Sequence, residues 1–342
     1  MRSTWLVTVT LVAAACSGDD GGERIDAPPA DAPEVDAAVD APLALVDAAS
    51  DGVLAVDAAV DAAPPINPGF VTPTAVTKAN LKQGGAWTEL GDADWTCLGT
   101  PTADQAATTA IALTGRVTDF QVGGGVGAAT VTAFPMLTAS TSLGTATTSN
   151  LAATCGEFTL TAAPLPTGVR RYGFRIEATG YLRSYVLDRY LAPGAAQSIL
   201  LDALAESTAN ALPAFVGVTR DATRGTTIGS MVDCLGRPVS NAVAAISTTA
   251  GTATLPAGAN TFYFSAGSTS LPVRHTQAAT MNKDGLFIVL DVVPVAPAYV
   301  QVWGFRTAAE LASGTLTLLA EAPVLAEANA ASIIDLAPRR AP

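Results

Sequence analysis

From residue 108 onward the chain is written in short runs of five to eight residues in which Val, Ile, Thr and aromatics alternate with polar or small residues. That period of two places one face of a strand in a core and the other in water, and Gly, Pro, Asn and Asp punctuate the runs as turns do. Arg175, Ile176, Glu177 and Ala178 keep this alternation, as do Gln301, Val302 and Trp303. Asn282, Lys283, Asp284 and Gly285 form a tight-turn tetrapeptide, with Gly285 free to take a positive φ. One stretch, residues 203–212 closed by Pro213, fits a short connecting helix instead. The apolar run 286–305 is long enough to suggest a membrane span, but Asp291, Pro294 and Pro297 interrupt it as a strand, turn and strand would.

The runs recur in order, which predicts two copies of one unit. Residues 113–119, 127–134, 155–160 and 172–181 make the first series, and 228–233, 239–246, 284–290 and 298–305 the second. Each closes on a similar strand, 198–202 in one and 332–336 in the other. The fold class expected is all-β, two tandem sandwiches.

The N-terminal fifth has a different character. Met1, Arg2 and Ser3 give a short positive start, residues 4–12 an apolar run, and Ala13, Ala14 and Ala15 the small residues a signal peptidase needs. The run is too short to cross a membrane. Residues 11–16 resemble the lipobox of bacterial lipoproteins, with Ala13 where that family favours Leu. The resemblance implies that Cys16 is lipidated and becomes the new N-terminus, so that the protein meets a membrane through its anchor. The alternative is an ordinary secretory signal cut after Ala15. Ser17 follows the cysteine, not an Asp retention signal, so the expected location is the outer membrane, periplasmic or surface-facing.

Residues 17–65 carry twelve acidic side chains and one basic one, Arg24, a net −11 of the −12 on the whole chain. Asp-Ala repeats with Pro and Val between them, like charges recur every four to six residues, prolines recur and aromatics are absent, so this segment is expected to be a disordered tether. Some fifty residues of flexible coil span about 40 Å root-mean-square, and charge repulsion adds to that. From residue 66 onward sixteen basic residues stand against eighteen acidic, so the folded part is nearly neutral. With no Lys/Arg stripe to displace counterions, nucleic acid is not expected as a partner. Arg170, Arg171 and Arg175 fit the solvated face of a strand.

The strand series resembles the carboxypeptidase regulatory-like domain, a transthyretin-like, Ig-like β-sandwich found beside zinc carboxypeptidases and alone in bacterial surface proteins. Gly115, Val117, Asp119, Ala128, Val131, Gly156, Phe158, Gly180 and Tyr181 supply its turn and core positions once. Gly229, Val232, Asp233, Ala242, Gly285 and Phe287 supply them again, with Gly304 and Phe305 in place of the closing Gly-Tyr. The implied organisation is a signal peptide 1–15, a lipidated tether 16–66, a lead-in 67–107, and sandwiches 108–203 and 204–342. Such motifs carry fold rather than activity.

No enzyme is expected, and no catalytic, cofactor or metal residue is assigned. Gly123, Gly125 and Ala128 fit a loose dinucleotide pattern, but a strand follows where phosphate binding needs a helix N-terminus. The only histidine is His275, and the zinc ligands of a carboxypeptidase are missing. Asp92 and Asp94 could hold one edge of a calcium ion, but no further oxygen ligand follows. Trp87 and Trp95 offer either sugar stacking or packing of the lead-in against a sandwich end. Beyond Cys16, three cysteines allow one intramolecular bridge, expected between Cys97 and Cys155 with Cys234 free. The functions in contention are a non-catalytic envelope lipoprotein for adhesion, scaffolding or ligand binding, a carbohydrate- or peptide-binding subunit of an envelope complex, and an accessory regulatory part of a peptidase.

Overall fold

The computed structural model describes residues 71–341, apart from positions 195, 257, 268 and 269. The signal segment, Cys16 and the acidic tether lie outside the described residues. Two strands, β1 (Lys78–Gln83) and β2 (Ala86–Asp92), come first. The first repeat holds β3 (Ile111–Asp119), β4 (Thr130–Pro135), β5 (Gly144–Thr147), β6 (Glu157–Ala162), β7 (Tyr172–Glu177), β8 (Arg183–Arg189) and β9 (Gln197–Ala203). Helix α1 (Glu206–Phe215) leads to β10 (Gly225–Met231), β11 (Val239–Ser240), β12 (Val243–Ser247), β13 (Asn260–Phe264) and β14 (Pro272–Val273). Then follow β15 (Leu286–Val292), β16 (Val295–Gly304), α2 (Ala308–Ser313), β17 (Thr317–Ala326) and β18 (Ala330–Leu336).

These strands make two sandwiches of matching topology. In the first, β6-β3-β9 faces β8-β7-β4-β5 across a core of Leu113, Val117, Phe158, Leu201, Val131, Phe174 and Ile176. In the second, β14-β13-β15-β10-β18 faces β12-β16-β17 across Met231, Phe287, Val289, Tyr263, Val300 and Val302. Each opening strand pairs antiparallel with one neighbour, β3 with β6 and β10 with β15, and parallel with the closing strand of its own repeat, β9 or β18. The expected repeat is therefore visible as repeated strand order.

The sandwiches are not strung apart. β18 pairs in parallel with β8, which joins one sheet from each into a single nine-stranded sheet. Side chains cross this seam in both directions. Ile333 of β18 belongs to the first core, whereas Phe134, Tyr185 and Leu187 belong to the second. Phe134 and Tyr185 meet edge to face, with ring centroids 6.1 Å apart.

A third apolar layer explains why β13 and β15 do not alternate in sequence. Phe262, Ile288 and Ile228 point away from the sandwich core and are covered by Leu212 and Val216 of α1 and its exit. A strand buried on both faces reads as a continuous apolar run. The run 286–305 is accordingly two strands, β15 and β16, and no helix among the described residues is long and apolar enough to cross a membrane.

Two helices depart from the expectations. α1 begins at Glu206, because Ala203 and its predecessors are drawn into β9, and it runs through Pro213 to Phe215. The hydroxyl-capped α2 was not anticipated; Thr307 accepts from the Glu310 N–H and Gly314 closes it at φ 70°.

Candidate functional site

Each repeat is held by the same three-residue contact. A Cβ on Gly115 would stand 2.5 Å from the Phe158 ring and 2.8 Å from the Ile199 carbonyl oxygen. On Gly229 it would stand 2.4 Å from the Phe287 ring and 2.8 Å from the Ile334 oxygen. Register places Gly115 opposite Phe158 and Ile199, and Gly229 opposite Phe287, with Ile334 beside it. The glycine in each opening strand is thus the seat of an aromatic ring from the next strand, with no room for a methyl group.

An aspartate, the last residue of β3 in one repeat and two residues past β10 in the other, ties the turn that follows. Asp119 Oδ1 accepts from the N–H groups of Gln121 and Val122 at 2.8 and 2.9 Å. Asp233 Oδ1 accepts from those of Leu235 and Arg237 at 3.0 and 2.9 Å, and its Oδ2 accepts from Arg237 Nη2 at 2.6 Å. Burial alone would raise the Asp233 pKa, but Arg237 and the surrounding backbone donors outweigh it and hold the carboxyl below its usual range. These motif residues seat a ring on a strand and tie the turn after it.

The disulfide expectation is corrected. Cys97 is bonded to Cys234, with Cα atoms 5.7 Å apart, and not to Cys155. The reason lies in where the lead-in docks. β1 pairs with β11 of the second repeat, the Asp94 N–H donates to Asp233 Oδ2 at 3.0 Å, and the Cys234 N–H donates to the Asp94 carbonyl at 3.0 Å. The lead-in therefore closes the second sandwich, and Cys97 arrives at the turn that carries Cys234. Cys155 sits buried in the first repeat, its Sγ 3.2 Å from the Gly125 carbonyl oxygen.

The other residues singled out by sequence lie scattered. Trp95 packs against the second core, and Trp87 carries Lys82 Nζ over its ring at 5.7 Å. Asp92 pairs with Lys78 at 2.6 Å, while Asp94 Oδ1 accepts from the Thr96 N–H. Among the described residues no group of three or more His, Cys, Asp or Glu could hold a metal ion. Gly123 lies in a turn at φ 71°, its N–H donating to the Asp119 carbonyl, and β4 follows. His275 stacks on Phe262 with centroids 4.5 Å apart, and burial lowers its pKa.

What the fold brings together is a cleft that no motif announced. It encloses about 870 Å³ where the lead-in, the first sandwich and the C-terminal strip meet. One wall is residues 99–102 paired through backbone with 339–341: Gly99 N–H to the Arg339 carbonyl at 2.8 Å, Ala341 N–H to that of Thr100 at 2.9 Å. The opposite wall is the segment 168–171 before β7, and Met136, Pro323 and Leu336 are apolar lining. Four arginines line it, Arg170, Arg171, Arg339 and Arg340, with the carboxylates of Asp104, Asp188 and Glu321.

The charges are not equivalent. Arg171 is clamped, its Nη1 3.2 Å from Asp188 Oδ2 and its Nη2 on Asp104. Asp188 sits in β8 at φ 59°, and burial pushes its carboxyl up to about 6 against the opposing pull of Arg171. Arg339 lies 3.8 Å from Glu321, whose other oxygen accepts from Gln301 Nε2 at 2.7 Å. Arg340 donates to Thr100 Oγ1 at 2.6 Å and has no carboxylate partner among the described residues, and neither has the exposed Arg170. A second, more open concavity of about 830 Å³ lies on the outer face of β6-β3-β9, lined by Thr114, Arg116, Glu157, Thr159 and Ser198.

No protein-family model matches the sequence, and no curated protein matches it. Among solved structures, the shaft pilin SpaA of Lactobacillus rhamnosus GG aligns at 14% identity over 68% of this chain and 98% of its own, with a TM-score of 0.19. A streptococcal ancillary pilin aligns at 9% identity over 67% of this chain and 68% of its own, also at 0.19. Scores this low mean that the chains do not superpose as wholes, so neither assembly nor activity follows from the likeness.

Proposed function

We propose that this chain is a non-catalytic envelope lipoprotein that holds a two-sandwich body away from a membrane for adhesion, scaffolding or ligand binding. The observation that carries this reading is the order of parts: an export signal, Cys16 in a lipobox-like setting, an acidic proline-rich spacer, then a β body. The Cys97–Cys234 bridge supports an oxidising, extracytoplasmic setting. Acylation at Cys16 with more than one chain gives stable attachment, since each buried CH₂ contributes about 0.8 kcal/mol. Outer-membrane placement goes with Ser17 at the position after the cysteine.

Membrane fractionation of cells expressing the protein and its Cys16→Ala variant tests this. The parent should partition with membranes and label with palmitate, and the variant should be released and unlabelled; equal partitioning of the two removes the anchor. Surface protease treatment then assigns the face.

A second reading, a ligand-binding subunit of an envelope complex for a glycan or peptide, is favoured by the arginine-lined cleft, a concave site with an apolar lining and a few convergent polar groups.

A further inference from the structure

We propose that the cleft between the lead-in, the first sandwich and the C-terminal strip binds the phosphate of a small phosphomonoester, with Arg170 and Arg340 as its principal ligands. The inference rests on the ligand-binding reading given above and names the ligand's chemistry. A quarter of the sixteen cationic residues in 66–342 line this one concavity, although the folded part as a whole is slightly acidic. That concentration is not a strand face in solvent, because the arginines come from two walls, the 168–171 segment and the C-terminal strip.

Two of the four guanidiniums are already answered. Arg171 is held by Asp104 and Asp188, and Arg339 stands by Glu321. These pairs fix the walls, since Arg171 ties the lead-in to β8 and Arg339 continues the backbone pairing to Gly99. Among the described residues Arg170 and Arg340 remain as two positive charges without carboxylate partners, equal in number to the charges of a phosphate monoester. Guanidinium forks match phosphate oxygens bidentately, and a concave site with low-dielectric walls strengthens their field beyond that of single surface arginines. Met136, Pro323 and Leu336 offer the organic part of the ligand an apolar surface.

The test uses the exported Cys16→Ala protein, so that the lipid anchor does not enter, and glycerol 3-phosphate as the probe, followed by calorimetry at low ionic strength. Saturable one-to-one binding is expected, weakened at least tenfold in Arg170→Gln/Arg340→Gln and unchanged in Arg116→Gln, which lies on the other concavity. Both substituted residues are exposed, so the double variant should keep the parent's thermal midpoint. Vesicles containing phosphatidic acid separate the sources. Soluble probe alone points to a free phosphomonoester, and soluble probe together with vesicles to a lipid headgroup that the cleft can admit. Absence of soluble binding, binding to vesicles only, or equal affinity of the double variant would each overturn the proposal. Capture of a neutral glycan or peptide, unaffected by the arginine substitutions, would keep the ligand-binding reading and reject the phosphate site.

Discussion

At the scale of single residues, the two repeats share a steric device that makes opposite demands on neighbouring positions. Gly115 and Gly229 must lack a side chain because Phe158 and Phe287 lie on them, and both rings are buried. Gly229→Ala should therefore destabilise by about 2–3 kcal/mol through overpacking, since the ring and the Ile334 carbonyl close on the new methyl group from two directions. Gly115→Ala should cost a similar amount. Pairing Gly229→Ala with Phe287→Leu should recover part of the loss, and thermal unfolding of the four-member cycle reads the coupling. Strict additivity would show that the ring and the glycine do not compete. These residues were legible in sequence as motif positions because their constraint is local to a strand pair. The cleft arginines were not. Arg170 and Arg171 sit more than 160 residues from Arg339 and Arg340, and only the docking of the C-terminal strip on the lead-in brings them to one place.

At the scale of elements, strands that alternate were readable and those covered on both faces were ambiguous, as β13 and β15 show beneath α1. The helices fared worse. Pro213 suggested a stop, yet a helix whose apolar face packs on a sheet gains more from Leu212 and Val216 in that contact than it loses to one missing hydrogen bond. The lead-in was misassigned for a related reason. Its adjacency in sequence to β3 suggested the first sandwich, whereas the run 239–246 divides into β11 and β12, and the two-residue β11 offers the edge on which β1 docks. The disulfide follows that docking. Closing 137 residues between Cys97 and Cys234 removes denatured-state entropy worth about 5 kcal/mol in the chain-entropy model, so Cys234→Ser should cost about 2–5 kcal/mol. Peptide mapping without reductant should recover a Cys97 peptide linked to a Cys234 peptide. Recovery of Cys97 linked to Cys155 would instead place the lead-in on the first sandwich.

At the scale of the whole molecule, the seam between β8 and β18 decides whether two sandwiches behave as two domains or as one. Tandem domains normally move relative to each other unless their interface is large and apolar. Here the interface is a parallel strand pair inside a nine-stranded sheet, and each core contains side chains from the other repeat, Ile333 in one direction and Phe134, Tyr185 and Leu187 in the other. Unfolding either sandwich alone would expose those side chains and leave a row of sheet hydrogen bonds unmade. Scanning calorimetry of the protein should accordingly show one endotherm, with calorimetric and van't Hoff enthalpies in agreement. Ile333→Ala, a change in a strand of the second repeat, should remove about 3 kcal/mol from the first core and lower the single midpoint by roughly 6–12 °C. Two resolved transitions in the parent, or a variant in which only one of two transitions moves, would show that the sandwiches fold separately and that the seam is a contact rather than a shared sheet.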